Sequence, residues 1–486
     1  MTRATSDEQL APTIFVLFGA TGDLAKRMVL PAFWILAERG MLPEKWLLVG
    51  NGRGDVAHED FRGHVHDVLT EDGSTLDPQQ WETFSSRLLF AGGGFDSDDT
   101  GSLLEVLDEA RSTLGGEPQH IHYFAVPPVA FPELTKALAE HDLATGSRVV
   151  YEKPYGTSPQ GFRELDDLVH TVLDEEQVFR IDHFLGKEGT QDLHVLRFAN
   201  QLVGGVWSRD HIQQVQIDVP ETLDIDDRAE FYDATGATLD MLVTHLFQVA
   251  AEVAMEPPVS MDAADLQDAR ESVIAAFRPL AKADVVLGQY DGYRDVEGIA
   301  DDSTTDTFAA ARLWIDTDRW RDVPFLLRTG KRLAADEQLV TLVLRTPDGP
   351  LTSVPAQGGT LTFSVKGDGM FYVGLVAKKP GEGLELSTGT AELALADVAG
   401  AEPLSPYASL LHDVLVGDHS KFTSAKGLAH AWAAAEPLPA DRPEVQPYPQ
   451  GSMGPDAADQ LPAPGHWYLT PATVDPSDPT SGPQSQ

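Results

Sequence analysis

The feature that most restricts the fold is the junction at residues 14–24. Ile14-Phe15-Val16-Leu17-Phe18 is an unbroken apolar run that ends abruptly in Gly19-Ala20-Thr21-Gly22-Asp23-Leu24. Five apolar residues without alternation read as a strand buried on both faces, the habit of parallel sheets. Helical periodicity follows at once, from about Asp23 to Arg39 through Leu24, Val29, Phe33 and Leu36, with Gly40 as the stop. A strand that passes through a glycine turn into a helix opens a doubly wound α/β domain. Further short apolar runs repeat the theme at 46–50, at 121–126 before Pro127-Pro128, and at 149–151 before Lys153-Pro154.

The texture changes after about residue 190. Val215–Val219 and Leu361–Val365 alternate apolar with polar residues, as strands of a sheet with one wet face do. Leu339–Leu344 is more continuously apolar and reads as a more buried strand of the same sheet. A long helical stretch is expected from roughly Thr238 to Met255. The expectation is therefore an α/β Rossmann-like N-terminal domain over 1–188. A large α+β C-terminal domain with a mostly antiparallel sheet follows over 189–468. The tail, 469–486, is rich in Pro, Ser, Asp and Gly and reads as disordered.

Charge narrows the function classes. Lys plus Arg number 35 against 76 Asp plus Glu, a net charge of −41. Such a surface repels phosphate backbones and anionic lipids, so nucleic acid and membrane are not expected partners. The absence of cysteine excludes disulfides, thiolate metal sites and cysteine nucleophiles. No run approaches the ~18 apolar residues of a membrane helix, and the polar N-terminus lacks a signal pattern. A cytoplasmic protein is expected.

The glycine turn lets backbone N–H groups approach a pyrophosphate at the positive end of a helix, which makes Gly19, Thr21, Gly22, Asp23 and Leu24 candidate nucleotide contacts. The turn is a variant of G-x-G-x-x-G, and any tight strand-to-helix turn could look similar. The second strand ends in Gly50-Asn51-Gly52-Arg53-Gly54. An arginine there accommodates a ribose 2′-phosphate where NAD sites place an acid, so Arg53 favours NADP. Asp55 keeps NAD open as a secondary cofactor. Only 12 lysines occur in the chain, which makes each ordered one informative. Lys153, Lys187 and Lys331 sit at or just after strand ends and Lys26 in the first helix. Converging cations would focus an anionic substrate within an otherwise repulsive surface.

These residues together resemble one family. Gly-Ala-Thr-Gly-Asp-Leu-Ala-Lys-Arg at 19–27, Glu-Lys-Pro-Tyr-Gly at 152–156 and Arg-Ile-Asp-His-Phe-Leu-Gly-Lys-Glu at 180–188 are similar to glucose-6-phosphate dehydrogenases. So are Leu196–Asn200, Val323–Lys331 and Tyr448–Pro455, the last with Met453 where Trp is usual. The resemblance implies oxidation of C1 of glucose 6-phosphate with hydride transfer to NADP, no metal, and assembly as a homodimer or homotetramer. It implies His245 as general base with Asp182 orienting it, a role that suits an imidazole titrating near neutrality. It implies His183, Lys187, Lys153 and Lys331 as ligands of the sugar phosphate, with Lys153 also bordering the cofactor. Glu221 and Asp240 would bind sugar hydroxyls, and Lys153-Pro154 is often cis in the family.

Several positions depart from the pattern. Phe184 stands where a tyrosine normally donates to the phosphate, and Asp336 where a basic residue is usual. Thr244 replaces an asparagine, Leu239 an arginine, and Ser364-Val365-Lys366-Gly367 replaces Arg-(Ile/Val)-Gln-Pro. Lys366 could restore the cation lost at 336; the alternative is an ordinary solvated lysine. Three readings stay open on sequence alone: the dehydrogenase itself, a homologue acting on another hexose phosphate or a free sugar, and an inactive nucleotide-binding regulator.

Overall fold

The computed structural model describes residues 10–54, 56–225, 229–351 and 359–470. Asp55 and the tail beyond residue 470 lie outside the described residues. Two compact units are present. The first takes its residues from Met1–Gly186, Asp262–Ala264 and Leu404–Ala425, and the second from Lys187–Met261, Asp265–Pro403 and Lys426–Gln486.

The first unit is built on β1 (Thr13–Phe18), β2 (Trp46–Asn51), β3 (Leu88–Ala91), β4 (Gln119–Phe124), β5 (Arg148–Tyr151) and β6 (Val178–Ile181). These run parallel in the order 3-2-1-4-5-6, the doubly wound arrangement. A two-residue strand, Phe422–Thr423, closes the β6 edge in antiparallel sense. All six residues of β1 are buried, because aromatic rings cover both of its faces. Phe15 packs on Phe33 of helix Leu30–Glu38 on one side, and Phe18 packs on Phe95 on the other. Burying such a ring is worth about 1.5–3 kcal/mol, so the strand needs no polar face. Helix Pro406–Val416 joins the same core through Tyr407, Leu410, Leu411 and Val414. Its last-turn carbonyls of Val414 and Leu415 accept from the Arg148 guanidinium at 2.7 and 2.8 Å, which satisfies acceptors that a helix end leaves open.

The second unit contains β7 (Ile212–Pro220), β8 (Val285–Tyr290), β9 (Phe308–Leu313), β10 (Phe325–Gly330), β11 (Leu339–Leu344), β12 (Thr360–Ser364), β13 (Met370–Lys378) and β14 (Leu386–Ala394). Their order is 14-13-12-11-7-10-9-8, with strand Val445–Tyr448 at the β8 edge. Among the described residues the neighbours are antiparallel, except β7 with β10 and Val445–Tyr448 with β8. The mostly antiparallel sheet expected from the alternating segments is present. The apolar run Leu339–Leu344 is β11, enclosed between β7 and β12. Two central strands are locked by a buried ion pair, Arg328 to Asp218 at 2.5 Å. Burial pushes the Asp218 carboxyl upward, and the Arg328 charge opposes that shift. The same guanidinium lies 4.2 Å from the Trp467 ring and donates to the Leu469 carbonyl.

Candidate active site

The glycine turn of the first unit packs closely on the backbone after β4. Gly19 has φ +75°, the left-handed region that favours glycine. A Cβ on Gly19 would lie 2.4 Å from the Ala125 carbonyl oxygen. The Gly19 and Ala20 N–H groups donate to the Asn51 carbonyl, and the Gly22 N–H donates to the Gly19 carbonyl at 2.8 Å. Asn51 is itself fixed by its side-chain amide, which donates to the Ala91 and Gly94 carbonyls. Thr21 and Asp23 are exposed and Leu24 is half-buried, and the Asp23 carboxylate pairs with Arg27 at 2.8 Å. The expected helix begins as a π-helical turn, Ala25–Val29, before α-helix Leu30–Glu38. Arg53 is exposed on the loop after β2.

Lys153 follows β5, half-buried, and its bond to Pro154 is cis. Beside it, Glu152 is buried and accepts from the Tyr123 hydroxyl at 2.5 Å and the Tyr407 hydroxyl at 3.4 Å. Burial pushes the Glu152 carboxyl up to about 7, against the lowering effects of Tyr123, Lys153 and Tyr407. At the end of β6, Asp182 is 1% exposed and its Oδ1 accepts the Phe184 N–H at 2.9 Å. The His183 ring lies 4.9 Å from the buried Phe184 ring.

In the second unit, sheet register explains which distant residues meet. β7 and β10 are parallel neighbours, with Pro220 opposite Gly330. The next residues, Glu221 and Lys331, therefore emerge side by side and form an ion pair. β11 starts antiparallel to the end of β7, with Leu339 opposite both Asp218 and Ser364. Residues 336–338 and 364–366 are thereby delivered to the same sheet end. Lys187, which is buried, donates to Gln338 Oε1 and starts helix Glu188–Ala199. Lys366 donates to the Asp336 carboxylate at 2.9 Å and also to its carbonyl. Three of the scarce lysines thus collect at one end of one sheet. Asp336 is neutralised by Lys366 rather than left bare.

His245 and Asp240 lie on a π-helix, Thr238–Leu246, that continues as α-helix Phe247–Ala254. The expected helical stretch over 238–255 is present, but its first half is wound wider. Residues five apart lie about one turn apart in a π-helix, whereas an α-helix would place them ~140° apart. The wide winding brings Asp240 and His245 toward a common face. Thr244 Oγ1 donates to the Leu239 carbonyl five residues back, at 2.6 Å. His245 is fully buried and Asp240 is 7% exposed. Tyr232 stands between this helix and the sheet: Lys331 Nζ lies 5.8 Å from its ring, and burial and the Asp240 charge hold its hydroxyl well above the usual range.

Two family descriptions match the chain: "Glucose-6-phosphate dehydrogenase, NAD binding domain" over residues 16–192 and "Glucose-6-phosphate dehydrogenase, C-terminal domain" over 194–468. The chain belongs to the glucose-6-phosphate dehydrogenase family. It is 37% identical over 473 residues to "Glucose-6-phosphate 1-dehydrogenase 2" of Mycobacterium tuberculosis, covering 92% of each chain. It is 32% identical over 465 residues to "Glucose-6-phosphate 1-dehydrogenase 5, cytoplasmic" of Arabidopsis thaliana, covering 92% of this chain and 90% of that one. A glucose-6-phosphate dehydrogenase solved with its substrate glucose 6-phosphate superposes with a TM-score of 0.88 at 30% identity, covering 95% and 99% of the two chains.

Two residues outside the expected set touch it: Glu152 precedes Lys153, and Gln338 accepts from Lys187. Glu152 was visible as part of a motif, but its burial was not. Gln338 carries no signal in one sequence; only the pairing of β11 with β7 and β12 brings it to Lys187.

Proposed function

We propose that this chain is an NADP-dependent glucose-6-phosphate 1-dehydrogenase. It oxidises D-glucose 6-phosphate to 6-phospho-D-glucono-1,5-lactone, the entry step of the oxidative pentose phosphate route. The observation that carries this reading is the family match across both halves of the chain, from residue 16 to 468. The turn at Gly19–Gly22 is assigned to the dinucleotide because it joins β1 to the first helix, the place where doubly wound folds hold a pyrophosphate. Arg53 is assigned to the ribose 2′-phosphate, which favours NADP over NAD.

NADP, when bound, supplies the acceptor for the hydride that leaves C1. The residues of this chain prepare that departure. His245 accepts the C1 hydroxyl proton, so the C–O bond becomes a carbonyl as the C–H electron pair leaves. Asp182 is assigned as the carboxylate that stabilises the resulting imidazolium, and its acceptance of the Phe184 N–H fixes its orientation. Lys187, His183 and Lys331 are assigned to the phosphate and sugar, with Lys153 between sugar and cofactor. Glu221 and Asp240 hold sugar hydroxyls. We place the enzyme in the cytoplasm, in line with its named plant relative, as a homodimer or homotetramer.

The test is turnover of purified chain with NADP or NAD against glucose 6-phosphate, other hexose phosphates and glucose, followed by absorbance of the reduced cofactor. Glucose 6-phosphate with NADP is expected to give the highest kcat/KM. His245→Asn should lower kcat by roughly 10²–10⁴-fold while dinucleotide binding persists. Turnover of glucose but not of its 6-phosphate would overturn the substrate assignment.

A further inference from the structure

The helix that carries Asp240 and His245 is held at its start by a residue outside the motifs. Asp306 is 3% exposed, and its Oδ2 accepts both the Thr238 N–H and the Thr238 hydroxyl at 2.8 Å. Its backbone carbonyl accepts the Ala237 N–H at 2.8 Å. A helix start leaves N–H groups without partners inside the helix, and Asp306 satisfies them from another element. Immediately before, the chain turns at Gly236, with φ +63°. A Cβ there would lie 3.0 Å from Asp306 carbonyl and carboxylate oxygens, so this turn is fitted to Asp306.

The other Asp306 oxygen, Oδ1, pairs with the Arg442 guanidinium at 2.5 Å, and Arg442 also donates to the Thr304 carbonyl. Arg442 is 42% exposed at its side chain and borders an open cleft that also includes Arg294, Asp291 and Glu444. The next residue completes the link to the substrate side. The Thr307 carbonyl accepts the Lys331 N–H at 2.9 Å, and the Tyr448 hydroxyl donates to the Lys331 carbonyl at 2.7 Å while lying 3.2 Å from the Thr307 carbonyl. Residues 306 and 307 therefore hold the helix of His245 with one hand and the turn of Lys331 with the other.

We propose that Asp306, anchored by Arg442, is a positioning residue that sets the start of the Thr238–Leu246 helix relative to Lys331. The inference rests on the proposed dehydrogenase reading, since it assigns the effect to turnover at His245. A displacement of ~1 Å at reacting groups costs on the order of 10²-fold in rate. Asp306→Ala is expected to lower kcat per active site by on the order of 10- to 100-fold, with the KM for NADP unchanged. Asp306→Asn keeps an acceptor for Thr238 but loses the Arg442 charge, and Arg442→Gln loses the anchor alone. Both should show a smaller fall in kcat of the same kind.

The measurements are steady-state kinetics normalised to dinucleotide-binding sites, and hydrogen exchange across residues 236–246. A purely structural role would lower the melting temperature and the number of active sites, but leave kcat per site and both KM values unchanged. That result in any folded variant would overturn the proposal. If Asp306→Ala does not fold, Asp306→Asn and Arg442→Gln decide on the same terms. Wild-type inactivity on glucose 6-phosphate would instead overturn the function. The anchor would then be judged by exchange alone: faster exchange in 236–246 upholds it, and unchanged exchange in both milder variants ends it.

Discussion

Replacing Glu152 with glutamine should change how the stability of the protein depends on pH. The Glu152 carboxyl is buried among Tyr123, Tyr407 and the core around β4 and β5, and burial raises it from 4.5 to about 7. Between those values the native state holds a proton that the unfolded chain releases. Stability therefore falls as pH rises across this window. The contribution is complete below about pH 4.5 and gone above about pH 7. A displacement of roughly 2.5 units, at 1.36 kcal/mol per unit, amounts to ~3 kcal/mol. Glu152→Gln is isosteric, still accepts from Tyr123, and cannot ionise. The other acidic groups affect both proteins alike, so the informative quantity is the difference between variant and wild type. Urea unfolding at matched ionic strength should show the variant gaining by ~3 kcal/mol relative to wild type between pH 4.5 and pH 8. A difference that stays constant within about 1 kcal/mol would show that Glu152 is already ionised in the folded protein, and the desolvation argument would fail.

Two further outcomes concern the ligand sites. Arg53→Ala should raise the KM for NADP far more than that for NAD, because only NADP presents a 2′-phosphate; equal effects on the two cofactors would remove the assignment. Lys366→Gln should raise the KM for glucose 6-phosphate by roughly 10-fold or more, the scale of one hydrogen bond to a charged group. The Lys366–Asp336 pair is more than 40% exposed on both sides, and such pairs are worth at most ~1 kcal/mol. A phosphate can therefore win the ammonium from Asp336, and an unchanged KM would return Lys366 to the role of a surface lysine.

Much of the fold was legible because local physics repeats. The unalternated run at 14–18 required cover on both faces, and the rings of Phe33 and Phe95 provide it. The alternation at 215–219 and 361–365 matches β7 and β12. The helix over 238–255 was visible as a period, but its wide first half was not, since Thr238–Leu246 has no proline or glycine to mark it. Nor could one sequence reveal that Pro406–Val416, far along the chain, completes the core of the first unit. At 336 an acid stands where a base is usual, and for Lys366 the sequence left two roles open, the missing cation or a solvated lysine. Register showed the two residues to be partners.

The sequence by itself determined the residue types and the family: a glycine turn between a strand and a helix, scarce lysines at strand ends, and a histidine in a helical stretch. These are properties of neighbours along the chain, where spacing is fixed by covalent geometry. Tertiary structure alone decided which of these groups share a charge. Glu221 meets Lys331 and Asp336 meets Lys366 because strands pair in one register rather than another. Register is set by the summed burial of whole strands, a quantity that no single motif carries.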